Sequence, residues 1–213
     1  MKRKKLYAAL ALIAAFILWT AVVSSIDVQA IGPQGSRVGL SAVNGWFHGL
    51  TGVHMTLYTV TDWLGLVPVA VVIAFAMLGL IQWFKRKRFF LVDSSILILG
   101  GFYVIVMGAY LLFEELVINY RPVLIGGYLE SSYPSSTTLL VLCVMPTAML
   151  QLRSRIPIKW LRAAVLTAIA AFMVFMVIGR AVSGVHWLSD IIGGGLLSAG
   201  LVLLYRHTVQ HFE

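Results

Sequence analysis

The sequence has little charge for its length. Only 11% of its 213 residues are Asp, Glu, Lys or Arg, whereas soluble domains average about 25%. Hydrophobic residues make up 60% of the chain, and they form runs that are too long and too free of charge for a water-soluble fold. The shortage of charge therefore excludes a soluble domain and predicts an all-α integral membrane protein.

Cysteine is nearly absent as well. Cys143 is the one cysteine of the sequence, so no internal disulfide can form. It lies in an apolar run, where a cysteine is typically a small packing residue. The net charge of +8 comes from short basic clusters between apolar runs. That pattern is typical of membrane topology, so we expect no nucleic-acid partner.

Six apolar runs reach the length that a membrane-spanning helix needs, about 17–25 residues. They predict a single six-helix membrane domain over residues 1–213. The first run is longer than the apolar core of a signal peptide, about 7–15 residues, so we expect it to be retained. The predicted spans are 6–23, 64–84, 95–118, 136–152, 161–178 and 188–205.

The basic residues predict how these helices are oriented. Thirteen of the sixteen Lys and Arg residues fall on one side if the six helices alternate, and the positive-inside rule places that side in the cytoplasm. Both termini are then cytoplasmic. The thirteen are Lys2, Arg3, Lys4, Lys5, Lys85, Arg86, Lys87, Arg88, Arg153, Arg155, Lys159, Arg162 and Arg206.

The largest external segment, residues 24–62, separates the first two predicted helices. Between Val38 and Val53 its apolar residues recur at roughly helical spacing, with glycine and polar residues in between. This pattern predicts an extracytoplasmic helix that lies at the membrane interface.

The positions of two of the three external arginines indicate a function. Arg37 lies in the long loop, but Arg121 directly follows the third predicted helix and Arg180 ends the fifth. Ionisable residues at such boundaries are usually functional or paired. The alternative is a headgroup anchor or an ion pair with Glu114, Glu115 or Glu130.

His186 and Asp190 lie four residues apart at the predicted start of the sixth helix. Residues at this spacing share one face of a helix. Asp190 can then accept a hydrogen bond from one ring nitrogen of His186, which leaves the other nitrogen as a nucleophile or base.

A run of small polar residues precedes the fourth predicted helix. Its sequence is Tyr133-Pro134-Ser135-Ser136-Thr137. Proline followed by hydroxyl residues is typical of a helix start. The unpaired backbone N–H groups at such a start form a ready anion site.

Together these motifs resemble the type 2 phosphatidic-acid phosphatase superfamily of membrane lipid phosphatases. That family has three signatures on one side of a six-helix bundle: Lys, six residues, Arg-Pro; Pro-Ser-Gly-His; and Ser-Arg, five residues, His, three residues, Asp. Arg121-Pro122 matches the end of the first, and Pro134-Ser135 matches the start of the second. The third is matched at its full spacing by Arg180, His186 and Asp190.

The resemblance covers about residues 114–204 and implies a phosphatase that needs no metal or other cofactor. It implies a site on the extracytoplasmic face of the cell membrane, in the bacterial inner membrane, and a lipid phosphate as substrate. His186 would attack phosphorus and form a phosphohistidine, and Asp190 would stabilise the imidazolium. The implied phosphate-binding residues are Arg121, Arg180, Ser135, Ser136 and Thr137.

The chain departs from the signatures at four positions. Glu114 replaces the Lys of the first, Ser136 and Thr137 replace the Gly and His of the second, and Gly179 replaces the Ser of the third. The histidine of the second signature, which this chain lacks, is taken to be the family's general acid. A general acid contributes about 10²–10⁴-fold to a rate. Candidate replacement acids are Glu114, Glu130, Glu115, Tyr120, Tyr128, His48 and His54.

Three functions are open at this point. The first is a lipid phosphatase or diphosphatase. A polyprenyl diphosphate such as undecaprenyl diphosphate is its favoured substrate, because a phosphate leaving group departs without strong protonation; phosphatidylglycerol phosphate and phosphatidic acid are alternatives. The second is a catalytically impaired homologue that binds or carries a lipid phosphate. A transporter is least favoured, because charged residues are scarce near the predicted midplane.

Overall fold

The computed structural model describes residues 2–212 and is all-helical in class, with no β-strand in that range. Short 3₁₀ turns lie at Pro33–Gly35 and Phe89–Leu91. The α-helices are α1 (Lys2–Ser25), α2 (Ser41–Thr51), α3 (Met55–Leu64), α4 (Leu66–Arg86), α5 (Ser94–Glu115), α6 (Ser136–Arg155), α7 (Lys159–Val182) and α8 (Leu188–Phe212). Irregular segments lie before α2 and between α5 and α6.

Six helical stretches of the described chain are long and apolar enough to cross a membrane, which confirms the predicted number. The second stretch differs from its prediction. It covers Met55–Arg86 because α3 runs into α4 at Gly65, whereas the predicted span began near residue 64. The polar residues of α3, above all Asp62, hide this extra length from a hydropathy argument.

Helices α6 and α8 form the centre of the bundle. About half of each apolar stretch is buried, 50% and 56%, against 6–22% for the other four. The low burial of the outer helices fits faces that contact lipid rather than protein. The inner helices therefore have neighbours on several sides and hold the polar residues described below.

Helix α1 packs along α8 in the opposite direction. Near one end of the pair, the Trp19 indole N–H donates to the Ser189 carbonyl at 3.0 Å. At the other end, Lys5 Nζ donates to Gln210 at 2.8 Å. Gly200 permits the close approach, because a Cβ there would lie 2.8 Å from Ile13 Cγ1. The small residues of α8 thus serve packing within the chain.

The basic clusters and the predicted chemistry lie at opposite ends of the bundle. At the basic end, Asp93 before α5 pairs with Arg86 at 3.1 Å and with Arg155 at 3.4 Å. Hydrogen bonds to Gln82 and these two arginines lower the pKa of Asp93. The assignment of the basic end to the cytoplasm stays a prediction.

The predicted helix in the external segment is present as α2, and it is tied to the bundle. Asn44 is buried and donates to Ser189 Oγ at 2.9 Å, while its carbonyl oxygen accepts from the Ser189 backbone N–H at 3.1 Å. Gly39, just before α2, donates to Asn119 Oδ1 at 3.1 Å. The external segment is therefore anchored to the start of α8, and its position at the membrane interface stays a prediction.

Candidate active site

A cavity of about 660 Å³ opens at the end of the bundle away from the basic clusters. Helices α3, α5, α6 and α7 and the loop before α6 contribute to its wall. Two guanidinium groups and three carboxyl groups face it, together with the first residues of α6. These lining residues include Asp62, Glu114, Arg121, Glu130, Ser136, Thr137 and Arg180.

Arg180 is the most buried charged group of this wall, with a side chain only 1% exposed. Its Nη1 lies 3.5 Å from both Thr61 Oγ1 and Asp62 Oδ1, and its Nη2 lies 3.4 Å from His186 Nε2. Gly179 brings α3 this close to α7, because a Cβ there would lie 2.8 Å from Thr61 Cγ2. A serine at this position, as in the family signature, would require the Thr61 side chain or α3 to shift.

Arg121 reaches the same histidine from the loop after α5. Its Nη1 lies 3.5 Å from His186 Nε2, and its Nε lies 3.1 Å from Glu130 Oε2. The backbone N–H of Arg121 also donates to the Glu130 carbonyl at 3.0 Å. The contacts between the two halves of this loop thus hold the guanidinium over the cavity.

The two guanidinium groups share one aromatic ring. The Cζ atoms of Arg180 and Arg121 lie 4.9 and 5.9 Å from the centre of the Tyr58 ring, which is within the range of a cation–π interaction. Arg180 Nε is buried and has no hydrogen-bond partner within residues 2–212, whereas Arg121 Nε lies against the Glu130 carboxylate. Arg180 therefore retains donor capacity for an anion.

His186 is buried beside the cavity and lines a small adjoining pocket, which shares Glu114 and Ser136 with the cavity. Its Nδ1 is 3.2 Å from the Ser132 carbonyl oxygen, which can only accept, so Nδ1 carries the hydrogen. Nε2 then presents its lone pair towards Arg121 and Arg180. Burial first, and then these two positive charges, lower the pKa of His186 well below 6.5. The imidazole is therefore neutral at pH 7, the form that acts as a nucleophile.

Asp190 does not accept the predicted hydrogen bond from His186. Its Oδ2 is 3.8 Å from His186 Nδ1, and the hydroxyl of Ser132 donates to Asp190 while contacting that ring nitrogen at 3.1 Å. The prediction assumed that both residues lie on one helix, but α8 begins at Leu188. Asp190 therefore acts on the imidazole through Ser132.

Asp190 itself is fully buried and well supplied with donors. Besides Ser132, it accepts from the Trp187 backbone N–H at 2.9 Å, from Ser189 Oγ at 3.3 Å and from Asn119 Nδ2 at 3.4 Å. These hydrogen bonds stabilise a buried carboxylate without a direct cationic partner. The carboxylate is fixed behind the histidine and away from the cavity.

Helix α6 begins at Ser136, as predicted, but the anion site at its start differs from the prediction. The Ser135 backbone N–H donates to the Asp190 backbone carbonyl at 3.1 Å, and the Ser135 side chain caps Thr138. It is therefore not available to an anion, contrary to expectation. Within residues 2–212 the backbone N–H groups of Ser136 and Thr137 have no partner, and both residues line the cavity.

The candidate replacement acids divide into two groups. Glu114, Glu130 and Tyr120 line the cavity. The other candidates are absent from its described lining: His54 contacts the Thr51 carbonyl at 2.8 Å, and His48 packs on Trp187 at 5.5 Å between ring centres. Glu115 and Tyr128 are likewise absent from the described lining of the cavity.

Sequence reasoning missed four residues that build the site: Tyr58, Asp62, Asn119 and Ser132. A signal existed for Asp62, since a carboxylate within the apolar stretch Met55–Arg86 breaks the pattern of a membrane helix. Tyr58 precedes it by one helical turn and so shares its face. Asn119 and Ser132 are ordinary loop residues by sequence, and no pattern distinguishes them.

Comparisons with known proteins agree with this geometry. The PAP2 superfamily model matches residues 117–213. The crystal structure of a transmembrane PAP2-type phosphatidylglycerolphosphate phosphatase from Bacillus subtilis is similar with a TM-score of 0.63 and 18% identity, over 97% of this chain and 98% of that one. No curated protein matches the chain significantly. The resemblance read from the motifs is thereby confirmed, and the structural similarity shows the fold.

Proposed function

Because residues 117–213 match the PAP2 superfamily and the whole chain shares the fold of a transmembrane PAP2-type phosphatase, we propose that the protein is a membrane lipid phosphatase. One observation carries the proposal. His186 Nε2 lies 3.5 Å from an Arg121 nitrogen and 3.4 Å from an Arg180 nitrogen. A neutral nucleophile that faces two guanidinium groups suits an incoming phosphate.

The proposed reaction begins with attack of His186 Nε2 on phosphorus. Arg121 and Arg180 bind the phosphate oxygens through charge-assisted hydrogen bonds, and the free N–H groups of Ser136 and Thr137 add further donors. Positioning and charge stabilisation supply most of the catalysis in phosphoryl transfer. The lipid oxygen leaves, and water then hydrolyses the phosphohistidine.

Ser132 and Asp190 stabilise the charge that forms on the ring. When Nε2 bonds to phosphorus the imidazole becomes cationic, while Nδ1–H remains bonded to the Ser132 carbonyl, 3.2 Å away. The Asp190 carboxylate lies 3.8 Å from Nδ1 and contributes a fixed negative charge. A charge placed in advance where the reaction develops the opposite charge lowers the barrier.

A polyprenyl diphosphate is the substrate that we favour. Thr137 stands in the cavity where the family signature has its acidic histidine, and a phosphate leaving group needs less protonation than a lipid alcohol. Phosphatidylglycerol phosphate and phosphatidic acid are the alternatives. The predicted orientation places the reaction on the extracytoplasmic face, in a bacterial inner membrane.

A second candidate is a protein that binds or carries a lipid phosphate without turnover. It is favoured by the carboxylates that already face both arginines, Glu130 at 3.1 Å from Arg121 and Asp62 at 3.5 Å from Arg180. These groups compete with a phosphate for the guanidinium donors.

Phosphate release from a panel of lipids in detergent tests the two candidates. The panel holds undecaprenyl diphosphate, undecaprenyl phosphate, phosphatidylglycerol phosphate and phosphatidic acid. We expect release by the native chain and none by His186→Ala, with Glu115→Gln as a control outside the cavity. Binding of a lipid phosphate that Arg121→Ala weakens, with no release from any lipid, would replace the phosphatase by the carrier.

A further inference from the structure

The cavity lacks the histidine that would protonate the leaving oxygen, so another group has to fill that role for a lipid monophosphate. A lipid alcohol is a poor leaving group, and a general acid typically contributes about 10²–10⁴-fold. Within the described lining of the cavity, three carboxyl groups are candidates: Asp62, Glu114 and Glu130.

Glu130 is committed to another role. Its Oε2 lies 3.1 Å from Arg121 Nε, and its backbone carbonyl accepts from the Arg121 backbone N–H at 3.0 Å. A proton on Glu130 would weaken the ion pair that holds Arg121 over the nucleophile. Glu130 therefore positions Arg121.

Asp62 and the nucleophile contact different terminal nitrogens of Arg180. Arg180 presents Nη2 to His186 Nε2 at 3.4 Å and Nη1 to Asp62 Oδ1 at 3.5 Å. One guanidinium thus contacts both the nucleophile and a carboxyl group. In-line displacement requires the nucleophile on one side of phosphorus and the leaving oxygen on the other, and a phosphate that lies between these two contacts of Arg180 meets that requirement.

Asp62 also lies next to the position of the missing histidine. Gly65, one helical turn after Asp62, packs against Thr137, since a Cβ on Gly65 would lie 3.6 Å from Thr137 Cγ2. The helical run from α3 into α4 therefore faces the first turn of α6 at this point. The side chain of Asp62 is 56% exposed in the cavity, so it is accessible to a substrate.

We propose that Asp62 is the proton donor and acceptor of the phosphatase proposed above, in place of the histidine that the family signature has at Thr137. In the empty site Arg180 holds the carboxylate. A bound phosphate competes for Arg180 and adds negative charge beside Asp62, and like charge favours the protonated carboxyl group. Glu114 lines the cavity too but has no contact with Arg180 among those formed within residues 2–212.

The two half-reactions balance with Asp62 in this role. In the first, the His186 Nε2 lone pair forms the bond to phosphorus, the bond from phosphorus to the lipid oxygen breaks, and Asp62 gives its proton to that oxygen. In the second, a water molecule attacks phosphorus and gives a proton to the Asp62 carboxylate. The phosphorus–nitrogen bond breaks, and its electron pair returns to His186.

Comparison of leaving groups in Asp62→Asn tests the proposal. The probes are a lipid monophosphate such as phosphatidic acid, and p-nitrophenyl phosphate, whose nitrophenolate leaves without protonation. For the lipid we expect formation of the phosphoenzyme to slow by about 10²–10⁴-fold. For p-nitrophenyl phosphate we expect the burst of nitrophenolate to keep its rate, followed by accumulation of phosphohistidine because hydrolysis of the intermediate is slow.

Three variants make the result specific. Asp62→Glu keeps the carboxyl group and should restore part of the lipid activity, whereas Glu114→Gln and Glu115→Gln should show no dependence on the leaving group. An equal loss for both probes in Asp62→Asn, an unchanged lipid rate, or the leaving-group pattern in Glu114→Gln would each overturn the assignment. Failure of the phosphatase itself is distinct, since the native chain would then release no phosphate and His186→Ala would have no effect.

Discussion

Replacement of Arg121 by glutamine tests the electrostatic state of the proposed nucleophile. Arg121 Nη1 lies 3.5 Å from His186 Nε2, and its charge, after burial, lowers the pKa of His186 below 6.5. For charge centres about 4–5 Å apart and an effective dielectric constant of about 20, one unit charge contributes roughly 3–4 kcal/mol. Solvent in the open cavity reduces this value, and loss of the positive charge should raise the pKa of His186.

The pH dependence of kcat/KM measures this change. Attack requires the neutral imidazole, so activity is lost as the pH falls through the pKa of His186 in the free enzyme. The acidic limb of the native protein should lie below pH 6.5, and in Arg121→Gln it should move to higher pH. Arg121→Lys keeps the positive charge but loses the planar pair of donors. We therefore expect a lower kcat/KM, whereas the acidic limb of its pH dependence should stay near its native position.

NMR titration of nitrogen-labelled histidine gives the same pKa without turnover, with His186→Ala to assign the signal. The electrostatic argument would be refuted if Arg121→Gln changed neither the acidic limb of the kcat/KM profile nor the pKa of His186 measured by NMR. The histidine would then be held neutral by burial alone, and Arg121 would serve only to bind the substrate.

Three further outcomes follow from the packing and the topology. Ser132→Ala leaves the buried carboxylate of Asp190 one donor short, so we expect a loss of about 1–3 kcal/mol in stability together with a lower kcat, measured by thermal unfolding and phosphate release. Gly200→Leu overpacks the contact between α1 and α8 and should cost about 1–3 kcal/mol, whereas a Cβ on Gly195 meets nothing within 4 Å, so Gly195→Leu is a matched control in the same thermal assay. Tyr128→Cys, in a chain whose native cysteine is replaced by serine, should react with a membrane-impermeant maleimide from outside intact cells; reaction only after lysis would reverse the predicted orientation.

Local properties of the sequence determined the number of membrane helices. Span length depends on the thickness of the bilayer and on the absence of charge over about 20 residues, and both can be read along the chain. The same locality explains the recognition of Arg180, His186 and Asp190, which all lie within eleven residues. The error in the second span has a local cause as well, since the polar residues of α3 made an existing helix resemble a loop.

The tertiary structure decided which groups surround the histidine. Ser132 meets His186 across 54 residues of sequence, and Asp62 meets Arg180 across 118. Those contacts depend on how α3, α7 and the loop before α6 pack together, and no spacing in the chain encodes such packing. The sequence by itself determined a six-helix membrane protein with an arginine and a histidine at one boundary. Three features could be known only from the tertiary structure: the Ser132 hydroxyl between His186 and Asp190, the bonded N–H of Ser135, and the contact of Asp62 with Arg180. The physical reason is that a hydrogen bond depends on a separation of about 3 Å in space, whatever the distance along the chain.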